Sequence, residues 1–266
     1  MKVVLGIDAA WTQAEPSGVA LLASSGDGWS CRGVAPSYDA FIDLAHGRTV
    51  DWQASQFAGS TPNIATLLDS VRKLCGASAD VIAIDMPVAT VPITGRRVAD
   101  VCVSRAFGSR GCSTHSPSSV RPGILGQTLS RDFETTGYAI AHANVPSGIP
   151  RRLVEVYPHI ALLNLLGRNY RVPYKVGKSS KYWPRSTIDM RKANLVSEFQ
   201  LINQALMRLV DSTGITIPNV PDVPSLSHLK RYEDALDALV SAWVGACYLA
   251  GHARPYGDNT AAIWCP

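Results

Sequence analysis

Apolar positions along this chain fall into short continuous runs and spaced stripes. Val3, Val4, Leu5 and Ile7 form a run that suits a strand buried on both faces. Two further strand-like runs, Gly18–Ala23 and Trp29–Ala35, follow across Pro16, Ser17, Gly26, Asp27 and Gly28, residues that turn a chain. The pattern predicts a three-strand antiparallel meander that begins with Lys2–Ile7. From Asn63 to Cys75 the periodicity changes. Ile64, Leu67, Leu68, Val71 and Leu74 recur at intervals of three and four, which predicts an amphipathic helix stopped by Gly76. The stretch "ADVIAIDMPV" (Ala79–Val88) is apolar on both faces and predicts an inner strand. Reached through a helix, it lies parallel to the first strand.

Beyond Val88 the elements are spaced by longer irregular segments. Arg97–Phe107 is helical in pattern, Gly108–Gly123 is a polar loop rich in glycine and proline, and Gln127–Ala143 regains helical character. "RRLVEVYPH" (Arg151–His159) reads as the last strand, closed by Pro158. A helix is predicted over Asp189–Val210. The final helix lies in "YEDALDALVSAWVGACYLAG", with Leu236, Val240, Trp243, Val244 and Cys247 on one face and Gly251 as its cap. The order β-β-β-α-β-α-β-α with no clean linker predicts one α/β domain over residues 1–266, with insertions around 108–123 and 168–188.

Composition narrows the class. The chain has 266 residues, 46% hydrophobic and 17% charged, enough to bury a sizeable core and unlike a disordered polymer. No apolar run reaches the eighteen residues of a membrane span, and the N-terminal run is too short for a secretory signal. Six cysteines form no CxxC pair and six histidines show no ligand spacing, so reduced thiols in a cytoplasmic protein are expected.

The net charge of +4 hides an asymmetry. Between Gly95 and Lys192 sixteen Lys and Arg face five Asp and Glu, a local +11, while the remainder carries −7. A basic middle on an acidic frame points to a polyanionic partner, because cations gain affinity by releasing counterions from phosphates.

Two inner strands end in aspartate, "LGID" at Asp8 and "IAID" at Asp85. As parallel neighbours they would bring both carboxylates to one sheet edge, the edge where open α/β sheets hold ligands. Asp234 and Asp237 sit at i and i+3 beside the apolar stripe of the last helix, and Glu155 belongs to a third apolar strand. Aspartate also forms ordinary turns at strand ends and favours a first helical turn. Gathered together, however, carboxylates repel, and hard divalent cations with oxygen ligands offset that repulsion while activating water.

"LGIDAAW", "IAIDMP" and "DALDALVSA", in this order, resemble the RNase H-like superfamily and within it the Holliday-junction resolvases, whose last helix carries a DxxDA pattern. "IDMP", "RRVADVCVSRAFGSRGCSTHSP", "EVYPH" and "YEDALDAL" resemble more closely a family of predicted RNase H-like nucleases known as domain of unknown function 429. The resemblance implies a mixed five-stranded sheet of order 3-2-1-4-5, strand 2 antiparallel, flanked by helices. It also implies metal ligands at Asp8, Asp85 and Asp234 or Asp237, binding Mg2+ or Mn2+ for hydrolysis of phosphodiester bonds. Asp85 stands where the resolvases have a glutamate, and Glu155 has no counterpart in their pattern. We take Asp8, Asp85, Asp234, Asp237 and Glu155 as the candidate catalytic set.

The basic segments supply candidates for binding nucleic acid, whether DNA or RNA, branched or hybrid. Arg96, Arg97, Arg105, Arg110 and Arg121 follow the Asp85 strand. Lys175, Lys178 and Lys181 follow the Glu155 strand among Tyr174, Tyr182 and Trp183, where cations would meet phosphates and aromatic rings would stack on bases. His115 is a candidate proton carrier. A homodimer is compatible with the sequence, which leaves the oligomeric state open. Two alternatives use the same elements. "GIDAAWT" also resembles the first phosphate loop of the actin and sugar-kinase superfamily, although no second glycine-rich loop follows; the other alternative is a non-catalytic nucleic-acid binder, for which clustered acids would have no use.

Overall fold

A computed structural model describes residues 1–26 and 28–266. The meander forms as expected from β1 (Val3–Asp8), β2 (Gly18–Ser25) and β3 (Gly28–Ala35), each antiparallel to the next. Helices α1 (Tyr38–Ala45) and α2 (Ile64–Cys75) follow. Asn63 caps α2 by accepting from the Thr66 amide at 3.0 Å, and Gly76 ends it in the left-handed region. Then β4 (Val81–Ile84) pairs parallel with β1.

After β4 come α3 (Val98–Phe107), α4 (Leu125–Thr135), the short β5 (Ala139–Ile140) and β6 (Arg152–Val156). Four helices follow: α5 (Pro158–Leu165), α6 (Ser179–Tyr182), α7 (Ile188–Leu206) and α8 (Lys230–Leu249). A hairpin of β7 (Arg254–Gly257) and β8 (Ala262–Cys265) completes the described elements.

The fold is mixed α/β, and its sheet is larger than the five strands expected. The row runs β3-β2-β1-β4-β6-β8-β7, with β5 also paired to β6, giving eight strands among the described residues. Three local readings are corrected here. Pro158 opens α5 instead of closing a strand, because a proline at the first helical position lacks only an N–H that would be unpaired anyway. The strand at Arg152–Val156 is not the last, since β8 pairs parallel with it. The helix expected over Gln127–Ala143 stops at Thr135 and gives way to β5.

Alternation within β1 explains the two layers. Val3, Leu5 and Ile7 pack with Leu67, Leu68 and Val71 of α2, Phe41 of α1 and Phe133 of α4. Val4 faces the opposite layer, which Leu236, Leu239 and Ala242 of α8 share with Leu195 and Phe199 of α7. The α8 backbone comes unusually close to the sheet. A Cβ at Gly6 would stand 2.2 Å from the Ala238 carbonyl oxygen, and one at Gly18 would stand 2.1 Å from that of Asp234. Only glycine fits either position. This contact fixes where the acids of α8 stand relative to the end of β1. Among the described residues no helix is long and apolar enough to cross a membrane, and all six thiols are free.

Candidate functional site

Asp8 is the last residue of β1, and Asp85 follows β4 directly, its amide donating to the Ile7 carbonyl at 2.8 Å. Since Ile7 and Ile84 are register partners, both carboxylates leave the same edge of the sheet. Both are half-buried. The first turns of α8 lie over them and add Glu233, Asp234 and Asp237, all buried.

Two lysines thread through this nest of five acids. Lys175 reaches Asp237 Oδ2 and lies 3.3 Å from Glu233 Oε1; Lys230 reaches Asp234 Oδ1 and lies 3.2 Å from the same Glu233 oxygen. The Tyr174 hydroxyl donates to Asp237 Oδ1 at 2.6 Å, and the Val176 amide donates to Glu233 Oε2 at 2.6 Å.

These partners sort the acids by charge. Burial would raise Glu233, but Lys175 and Lys230 outweigh it and hold its carboxyl below the usual range. Burial pushes Asp237 up to about 6, against the pull of Lys175. Asp85 is driven well above its ordinary value, first by burial and then by the charge of Asp8. Asp234 rises for the same two reasons, partly opposed by Lys230. Its Oδ2 is buried and has no hydrogen-bond partner among the described residues. An unpaired buried carboxylate oxygen is costly, and it is the atom that a hard cation would satisfy.

The sequence candidates separate accordingly. Asp8, Asp85, Asp234, Glu155, Lys175 and Lys178 line an open cleft of about 800 Å³ along this edge. Asp237 lies behind it, fully buried, with both oxygens used. Glu155 is held in a fork by Arg97, at 2.6 and 2.7 Å, and accepts from the Val88 amide at 3.1 Å. Arg97, expected to bind substrate, spends its remaining donors on Asp100 and the Val88 carbonyl. Arg96 bonds Ser104, Ser116 and the Asp100 carbonyl. Arg110 braces the carbonyls of Arg168 and Asn169, while Arg105 and Lys181 are exposed. Among the described residues none of Arg96, Arg105, Arg110 and Lys181 lines the cleft, and no three His, Cys, Asp or Glu side chains are gathered as a formed metal site.

A family model described as "Protein of unknown function (DUF429)" matches residues 6–261. The chain belongs to this family. No curated protein and no solved structure matches it.

The DUF429 chain also carries functional candidates that sequence reasoning passed over. Glu233 and Lys230 are visible in retrospect as a Lys-x-x-Glu-Asp spacing, which aligns one ammonium with two acids on a helix. Arg171 and His159 gave no such signal. His159 is buried at the start of α5, its Nε2 accepting from the Arg171 guanidinium, its ring against Tyr157 and Tyr174. Burial, then the charge of Arg171, holds its pKa well below the usual imidazole range. Folded His159 therefore refuses a proton that the unfolded chain accepts below about pH 6.5, and its stabilising contribution is lost as pH falls. The loss falls between pH 7.5 and 5.5, where the unfolded imidazole takes up its proton. His159→Gln should remove this share of the acid slope in denaturant titrations at the two pH values. Equal slopes in variant and wild type would mean that His159 protonates inside the fold.

Proposed function

We propose that this protein is an RNase H-like, divalent-metal-dependent nuclease that hydrolyses phosphodiester bonds in nucleic acid. The observation that carries the reading is that Asp8, Asp85 and Asp234 line one cleft along the sheet edge, with a buried Asp234 oxygen left without a partner. The antiparallel meander, the parallel crossover to β4 and an acid-bearing last helix over β1 support the same reading.

The donor chemistry fits a hard cation, with all-oxygen ligands and an orphaned carboxylate atom, and Asp8, Asp85 and Asp234 are the residues that would hold it. Asp237 would stand behind them, positioning Lys175. Bound there, Mg2+ or Mn2+ would supply the positive charge that favours a nucleophilic water at neutral pH and offsets charge on the leaving oxygen. The chain's own groups do the rest. Lys175 and Lys230 hold Glu233 and Asp237 in place and lower the net negative charge that a phosphodiester would meet.

The decisive experiment is a cleavage panel of single- and double-stranded DNA, RNA, hybrid and four-way junction, with magnesium or manganese, beside Asp8→Asn. Wild type should cut at least one substrate only with metal, and the variant should lose at least about a hundredfold in rate. In chelator Asp8→Asn should melt close to wild type, because the Asp8 side chain makes no hydrogen bond among the described residues and its charge opposes three carboxylates while attracting Lys175 and Lys230. Failure to cut every substrate, with no effect of metal on melting, removes the nuclease reading.

A further inference from the structure

The cleft has a second wall that the carboxylates do not occupy. Arg121, Arg171 and Lys178 line it together with His115, His159 and Tyr157. The loop after α3 brings Arg121 and His115, and the segment after α5 brings Arg171 and Lys178. Among the described residues none of these three cations has a carboxylate within ion-pair distance, although acids abound across the cleft. Instead the cations meet one another and neutral groups. Lys178 Nζ lies 3.4 Å from His115 Nε2, and Arg171 donates to His159 Nε2 and, at 3.3 Å, to the Gly111 carbonyl.

Two buried donors here are left over. Arg171 Nε and His159 Nδ1 make no hydrogen bond among the described residues, with the neutral Tyr182 hydroxyl beside the Arg171 guanidinium. Because Nε2 of His159 accepts from Arg171, its ring proton belongs on Nδ1, which is therefore a donor in need of an acceptor. The crowding is felt by Lys178, whose pKa falls first through burial and then through Arg171. Arg171 and Lys178, held near each other at a half-buried wall without acids, are unfavourable until an anion arrives, and exposed Arg121 borders the same cleft.

We infer that this wall is a subsite for a phosphate group, contacted by Arg171, Lys178 and Arg121. The guanidinium fork and the ammonium group are suited to its oxygens, and the two charges make such hydrogen bonds stronger than neutral ones. Together with the proposed nuclease function, on which this second step rests, it narrows the substrate. A chain lying along the cleft offers its scissile phosphodiester to Asp8, Asp85 and Asp234 and a neighbouring phosphate to the cations. The substrate is then an oligonucleotide with at least two successive phosphates, and a lone nucleotide fills only half of the cleft.

Calorimetric titration of the full chain with inorganic phosphate, in chelator, tests the subsite without any cleavage. Wild type should bind, and Lys178→Gln and Arg121→Gln should each weaken binding about tenfold, the loss expected for one charge-assisted hydrogen bond. Lys178 and Arg121 are chosen because neither side chain braces the backbone, whereas Arg171 does. Asp8→Asn should bind as well as wild type or better. A dinucleotide phosphorylated at both ends should displace the phosphate. No binding by wild type up to about 10 mM, or equal affinities in wild type and both Gln variants, overturns the subsite. A dinucleotide that leaves phosphate bound overturns the two-phosphate substrate. Phosphate binding in a protein that cleaves nothing keeps the subsite and removes the nuclease; cleavage without phosphate binding does the reverse.

Discussion

Arg97→Met is expected to lower the melting temperature by about 10 °C, the consequence of roughly 3–5 kcal/mol lost when one partner of a buried ion pair is removed. Arg97 is the shared partner of two buried acids, Glu155 and Asp100, and its own side chain is only 13% exposed. Methionine fills similar space but leaves both carboxylates without a countercharge at the start of α3. Combining it with Glu155→Leu should recover a large part of the loss, since a buried pair replaced by apolar groups of similar volume is often near neutral. Thermal melts of the two singles and the double measure the coupling. A side chain that served to bind nucleic acid would change affinity and leave melting within about 1 °C, which would refute the internal role drawn here.

A second large effect is expected at Lys175. Lys175→Met removes the ammonium between Asp237 and Glu233, both buried, and should cost about 3 kcal/mol at pH 8. The loss should shrink as pH falls. Without Lys175 both carboxyls move up in pKa, and an acid raised in the folded state contributes stability that is present at low pH and lost as pH rises through its folded value. Asp237 already titrates at about 6 with its lysine in place. Denaturant melts in chelator at pH 5.5 and pH 8 should therefore show a smaller gap between variant and wild type at the lower pH. A gap that is constant across this range would mean that packing of the lysine stem, and not its charge, holds the nest together.

The parts of the site carried by β1, β4 and α8 were legible because burial on both faces writes itself into continuous apolar runs. An acid at the end of such a run stands out, as Asp8 and Asp85 do. The spacing of Asp234 and Asp237 was equally plain on an otherwise apolar helix. Charge in the middle of the chain was a weaker guide, since a basic residue reads the same whether it faces solvent or an internal acid. Arg97 and Lys175 proved internal, while Arg105 and Lys181 remained in solvent. What separates them is tertiary: the return of the segment after β6 over α8, and of the α3 start over β6. Residues 254–265 escaped notice because Pro255 and the turn around Asp258 and Asn259 disguise two four-residue strands. α1 was missed too; it is only eight residues long, and its cap, Ser37, follows a proline.

The close seating of α8 on the sheet decides which parts of this site can move. With the Ala238 and Asp234 carbonyls lodged against Gly6 and Gly18, the helix can neither slide along β1 nor turn about its axis without driving backbone into backbone. Asp8, Asp85 and Asp234 are thus pinned at their roots. Whatever enters the cleft meets a frame that does not adjust by helix motion, with the ammonium groups of Lys175 and Lys230 paired to the acids of α8. Fit therefore falls to the ligand, whose own shape must match the spacing of acids that the fold sets.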